Sequence, residues 1–250
     1  MNYELGDKMN LKEEFIKLGY TEDDYNEIRN SYALMNIKDE TLSIHLKDIF
    51  TFFLECGYTK EEVIKITKTF PSIYGYSIEN MKQKIADIME LGYTKEEVIK
   101  MTKTLPPIYG YSIENMKQKI IDIMDLGYTK EEVIKMTKTL PQIYSYSIEN
   151  MKRKITDIME LSYTKEEVIK ITKTLPQIYS YSIENMKQKI DFYNLIDMHE
   201  LAFIDAKNLM QSTNLSYARY SFYIDLGINI DMNNYRNYLW AKSNLKKLME

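Results

Sequence analysis

GYTKEEVIKMTKTLPPIYGYSIENMKQKIIDIMDL, Gly92–Leu126, contains two helix starts, one helix stop and two apolar stripes in a single 35-residue sentence. Thr94 followed three residues later by Glu97 is a capping box, and Tyr93 ahead of it is placed to pack on Val98 as a hydrophobic staple. On a helical wheel Val98, Ile99, Met101, Thr102 and Leu105 share one side, whereas Lys100 and Lys103 lie opposite with Glu96. Pro106 ends this helix, because its ring removes a donor and restricts the residue before it. PPIYG is too short for a further α-helix and predicts a 3₁₀ turn that drops Ile108 and Tyr109 inward. The grammar then repeats: Tyr111 is a staple residue, Ser112 an N-cap and Met116 the staple partner. Ile113, Met116, Ile120, Ile123 and Met124 form the second stripe, flanked by Lys117 and Lys119.

The same sentence recurs with a period of 35, aligning Gly57, Gly92, Gly127 and Ser162 and giving repeats over 57–91, 92–126, 127–161 and 162–196. Neither helix of a repeat can hide its stripe alone, so stacking is required and the fold class is an all-α helical-repeat solenoid. Each repeat ends where glycine suits a left-handed C′ position; Ser162 in that conformation would cost about 1 kcal/mol. The ends read as degenerate copies. LGYTEDDYNEI (Leu18–Ile28) and ETLSIHLKDIFTFFLECGYT (Glu40–Thr59) form an N-terminal cap repeat over 1–56. NLSYARYSFYIDLGI (Asn214–Ile228) resembles a second helix within a C-terminal repeat and tail over 197–250, where Trp240 plugs the end. The expectation is one solenoid domain over 1–250.

Composition narrows the function. The 250 residues are 44% hydrophobic, enough for a substantial core, and the formal charge of -4 excludes a chain that attracts polyanions by total charge. A single cysteine, Cys56, excludes an internal disulfide. There is no signal-like or transit-like N-terminus and no apolar run that could span a bilayer. The expected location is the cytoplasm, or an organelle if a transit peptide has been removed, and the expected state is a monomer with no membrane partner.

Charge is unevenly distributed. Residues 1–56 carry 6 basic and 12 acidic groups (-6), residues 57–196 carry 21 and 19 (+2), and residues 197–250 carry 6 and 6 (0). Within the array the acids gather at the first turn of each first helix, where they favour the helix dipole. Each second helix instead repeats basic residues: Lys82 and Lys84, Lys117 and Lys119, Lys152 with Arg153 and Lys154, Lys187 and Lys189, then Arg219. Stacking would turn these into a ladder able to follow phosphates. The plainer alternative is a solvated shoulder whose stems cover the core. The tyrosine series beginning at Tyr58, Tyr74 and Tyr76 fits core packing better than base stacking.

Nothing points to catalysis, a cofactor or a metal. His45 and His199 stand apart without metal-ligand spacing or a triad, Cys56 aligns with Leu91 and Leu126 as a buried hydrophobe, and Met81, Met116, Met151 and Met186 recur at a core position.

GYTKEEVIKMTKTLPQIYSYSIENMK (Gly127–Lys152) and the QKIDFY of Gln188–Tyr193 resemble the mTERF repeat of the mitochondrial transcription termination factors and their plant and bacterial relatives. Ala218-Arg219-Tyr220-Ser221-Phe222-Tyr223 is similar to the family's closing motif. The resemblance implies a superhelix of three-part helical repeats whose positive concave side holds double-stranded nucleic acid. It departs from the family where Gln83, Gln118, Arg153 and Gln188 replace a proline between the basic residues, which predicts a straighter second helix. The expected function is therefore non-enzymatic binding of duplex DNA or structured RNA, with regulation of transcription or translation; the alternative is a protein interaction scaffold. Near-identity of the repeats argues for recognition of backbone or shape over base readout.

Overall fold

The computed structural model describes residues 10–204 and 206–240, and among them the chain is helix and turn with no strand. It divides into two compact parts, Met1–Ile120 and Ile121–Glu250, and the division falls inside one helix, Ile113–Met124. The N-terminal part holds α1 (Leu11–Leu18), α2 (Glu22–Arg29), α3 (Asp39–Glu55), α4 (Lys60–Thr69), α5 (Ile78–Glu90), α6 (Lys95–Thr104) and the start of α7 (Ile113–Met124). The C-terminal part continues with α8 (Lys130–Thr139), α9 (Ile148–Met159), α10 (Lys165–Thr174), α11 (Ile183–Leu195), α12 (Leu201–Ile204), α13 (Thr213–Asp225) and α14 (Tyr235–Tyr238).

The predicted punctuation is observed. Thr59, Thr94, Thr129 and Thr164 each close a capping box with the glutamate three residues on, a device that contributes about 1 kcal/mol per helix. Each first helix stops before a proline that opens a 3₁₀ turn: Pro71–Gly75, Pro106–Gly110, Pro141–Ser145 and Pro176–Ser180. At that position the missing N–H has no helical partner to lose. Ile73, Ile108, Ile143 and Ile178 of these turns are fully buried. Ser77, Ser112, Ser147 and Ser182 then cap the second helices by accepting from the N–H of an asparagine three residues on.

Ser162 adopts φ +76°, in register with Gly57, Gly92 and Gly127, so the left-handed turn persists without glycine. The second helices run unbroken through Gln83, Gln118, Arg153 and Gln188. At the N-terminal end α2, a 3₁₀ turn over Tyr32–Leu34 and α3 reproduce a repeat, preceded by α1, a helix the periodicity does not announce. At the C-terminal end the first helix has shrunk to the four-residue α12. Trp240 packs edge-on against Tyr235, ring centroids 4.9 Å apart; residues 241–250 of the expected tail lie outside the described residues.

Candidate nucleic-acid interface

The basic residues of each second helix divide by helical geometry. Positions i and i+2 are separated by about 200° around the axis and do not share a face. Lys82, Lys117, Lys152 and Lys187 stand on one shoulder of α5, α7, α9 and α11, and all four are exposed, with no ion pair among the described residues. Arg153 is also exposed and donates to Asn150 Oδ1 at 3.1 Å within its own helix.

The other shoulder turns toward the following repeat. Lys84 Nζ donates to the Tyr111 carbonyl at 2.6 Å, and Lys154 Nζ to the Tyr181 carbonyl at 2.6 Å. These carbonyls sit just ahead of the N-caps of α7 and α11, outside the helical ladder, so a lysine supplies a donor their own helices do not. Lys189 is wholly buried and donates to the Ser212 carbonyl at 3.1 Å and to Ser216 Oγ at 2.7 Å. Its ammonium also lies over the rings of Phe192 and Tyr193, at 5.4 and 5.6 Å. Arg219, buried at the equivalent position, donates through Nη1 to the Leu239 carbonyl at 2.9 Å. Lys119 occupies this shoulder too and is half-buried. Burial lowers the pKa of Lys154 and pushes that of Lys189 down to about 8, because a desolvated ammonium is disfavoured.

Within each part, the expected basic pairs are thus corrected to one outward residue and one inward residue on each second helix. Lys189 and Arg219 are withdrawn from solvent, and Lys84 and Lys154 commit their ammonium groups to the backbone of the next repeat.

Two further contacts hold successive repeats together, both built from residues that sequence reading assigned to single helices. Thr172 donates its one hydroxyl proton to the Val168 carbonyl at 2.7 Å, so the Tyr128 hydroxyl, 2.5 Å away, donates to Thr172. Tyr179 then donates to Tyr128 at 2.5 Å. In the N-terminal part the same chain runs from Tyr74 to Tyr20 (3.1 Å), Thr67 (2.9 Å) and the Val63 carbonyl (3.0 Å). Tyr58 likewise bonds Thr102. Tyr20, Tyr58 and Tyr128, at the first-helix staple position, are therefore inter-repeat bolts, and burial raises their hydroxyl pKa values. At 3–4% exposure these three present no face for base stacking, whereas Tyr76, Tyr111, Tyr146 and Tyr181 of the second-helix staple are half-buried.

The second contact corrects the placement of Lys103 opposite the packed face. Its ammonium pairs with Glu62 of the preceding repeat at 2.7 Å and lies 4.7 Å from the centre of the Tyr58 ring. Lys173 pairs with Glu132 at 2.6 Å and Lys68 with Asp24 at 2.5 Å. The capping-box acid therefore serves two helices: it closes its own N-terminus and holds the next first helix. Lys68 draws the Asp24 carboxyl down to about 2, helped by the Thr21 N–H. Threonines at positions 67, 102, 137 and 172 are buried to 1% exposure or less; their recurrence on the apolar side of the wheel was the available signal for these bolts.

The remaining chemistry-bearing residues stay apart. His45 Nδ1 lies 2.5 Å from the Tyr74 carbonyl, His199 is exposed, and burial raises the Cys56 thiol pKa. No group of three potential metal ligands occurs among the described residues. None of their helices is long and apolar enough to cross a membrane.

Repeated helix pairs with an exposed lysine recurring at one position of each second helix define a helical-repeat protein whose visible chemistry is the presentation of charge. The mTERF family profile matches residues 7–91, 41–124 and 89–199, so the chain belongs to the mTERF family. At a coarse level that membership carries nucleic-acid binding connected with transcription termination, in proteins that are generally not enzymes. No curated protein matches the chain.

Proposed function

We propose that the protein holds duplex DNA or structured RNA through phosphate contacts made by Lys82 and Lys117 in the N-terminal part and by Lys152, Arg153 and Lys187 in the C-terminal part. The observation that carries this reading is the outward row: the same exposed cation recurs on each central second helix while the neighbouring basic residue is turned inward. Within each part the cations stand on the second helices of successive stacked repeats. Nothing in the row varies enough to read bases, and the recognised feature is the spacing of phosphates. The cellular role that follows is regulation of transcription or translation by occupancy of the nucleic acid, without a catalytic step.

Fluorescence anisotropy with duplex DNA, single-stranded DNA and RNA at several salt concentrations tests it. Five phosphate contacts on duplex DNA give a log-log salt slope of about -4.5, whereas engagement of only the two N-terminal lysines gives about -1.8. Reversal of the five residues to glutamate abolishes binding with helical content unchanged. Absence of binding at low salt, or binding that survives the reversal, overturns the proposal.

A further inference from the structure

The four central repeats are nearly identical, and the junction at which the degenerate N-terminal cap repeat meets the first of them carries side chains that the later junctions do not. There, between α3 and α5, a groove of about 320 Å³ has Phe52, Cys56, Ile85, Ala86 and Met89 along its apolar lining. Phe52 stands where the following repeats have Asp87, Asp122 and Asp157; Cys56 stands where they have Leu91, Leu126 and Leu161. Ala86 stands where they have Ile121, Thr156 and Asp191. The Phe52 exchange removes a carboxylate from the lining, and the Ala86 and Cys56 exchanges shorten side chains that would otherwise fill the space. Together they open an apolar groove at this junction.

The rim is cationic. Lys82 and Lys95 line the groove against the single carboxylate of Glu55. Leu54 and Met89, at equivalent positions of α3 and α5, are each 39% exposed and add apolar surface on these two helices. Methionine suits such a surface, since its flexible thioether adapts to different apolar partners.

We propose that this groove docks an acidic amphipathic peptide segment of a protein partner, with one large apolar side chain seated over Phe52, Ile85 and Ala86 and flanking carboxylates meeting Lys82 and Lys95. An apolar floor with a net positive rim selects this chemistry: an apolar anchor alone leaves the ammonium groups uncompensated, and an acidic strand alone leaves the floor wet. The site is separate from the phosphate row except at Lys82, so an occupied groove takes one cation from that row.

The array itself supplies the variant that tests it. Ala86→Ile installs at an exposed position the residue that Ile121 already provides in the next repeat, and so fills the groove without asking the fold for anything new. A phage library of random 12-residue peptides panned on the full chain yields sequences combining aromatic or long aliphatic anchors with Asp and Glu. The selected peptides bind Ala86→Ile at least about tenfold more weakly, about 1.4 kcal/mol. Lys95→Glu weakens them comparably, and bound peptide slows maleimide labelling of Cys56, the only cysteine. Failure to enrich any peptide, enrichment of sequences without acids, or equal binding to Ala86→Ile overturns the inference. Duplex DNA binding by Ala86→Ile stays at the unsubstituted level, which separates failure here from failure of the phosphate reading.

Discussion

The outward and inward shoulders of the second helices carry the same residue type, two positions apart, and differ in what surrounds the ammonium. Lys152 is exposed on α9, whereas Lys154 on the same helix is half-buried against the Tyr181 carbonyl. On α11 the contrast is complete: Lys187 is exposed and Lys189 is fully buried. A basic repeat pattern is therefore two patterns superimposed, one turned toward the following repeat and one exposed to solvent.

Substituting across the two shoulders breaks or sharpens that contrast. Lys154→Glu sets a carboxylate against a carbonyl and is expected to destabilise the C-terminal part by about 3 kcal/mol; Lys152→Glu changes stability by less than about 0.5 kcal/mol. Equal denaturation midpoints for the two variants would erase the distinction. Lys189 gives a pH signature. Its folded pKa of about 8 lies below the ordinary lysine value of 10.5. The unfolded state therefore binds more protons between these values, and stability rises with pH in that window. From pH 8 to pH 10 the gain is about 2 kcal/mol, and it disappears in Lys189→Met. Chemical denaturation at a series of pH values measures both.

Smaller effects test the contacts between repeats. Thr172→Val leaves the Tyr128 hydroxyl without its acceptor and costs about 1–2 kcal/mol, while Thr174→Val on the exposed side of the same helix is close to neutral by thermal unfolding. Ser162→Gly relieves the left-handed serine and stabilises by about 1 kcal/mol; a loss of stability would show that Ser162 contributes something beyond its backbone angle.

Much of this fold is legible in the sequence because its signals are local. Thr94 with Glu97, Pro106, Ser112 and Gly127 fix where helices start and stop using partners within a few residues. The contacts between repeats are less legible: Tyr128 and Thr172 are 44 residues apart, and only their joint recurrence hints that they meet. The candidate interface falls between these cases. Period and residue type identify the basic positions, and the helical wheel separates Lys117 from Lys119, but a wheel cannot show that the second shoulder faces another repeat's carbonyl instead of water. The C-terminal end reads poorly because its first helix has collapsed to α12, and the threonine bolt is replaced there by a Tyr163 hydroxyl that donates to the Ala202 carbonyl at 2.5 Å. In that shortened repeat, where Arg219 answers to Lys189, Ala202 itself stands in the place of Thr172.

The most direct test neutralises the two rows separately and reads the salt dependence of duplex DNA binding. Each of Lys82, Lys117, Lys152 and Lys187 changed to glutamine is expected to make the log-log slope shallower by about 0.9, with the unfolding midpoint unchanged. Lys84→Met and Lys154→Met are expected to lower the midpoint and leave the slope as it was. A slope that responds equally to both rows, or to neither, would contradict the division of labour between the two shoulders.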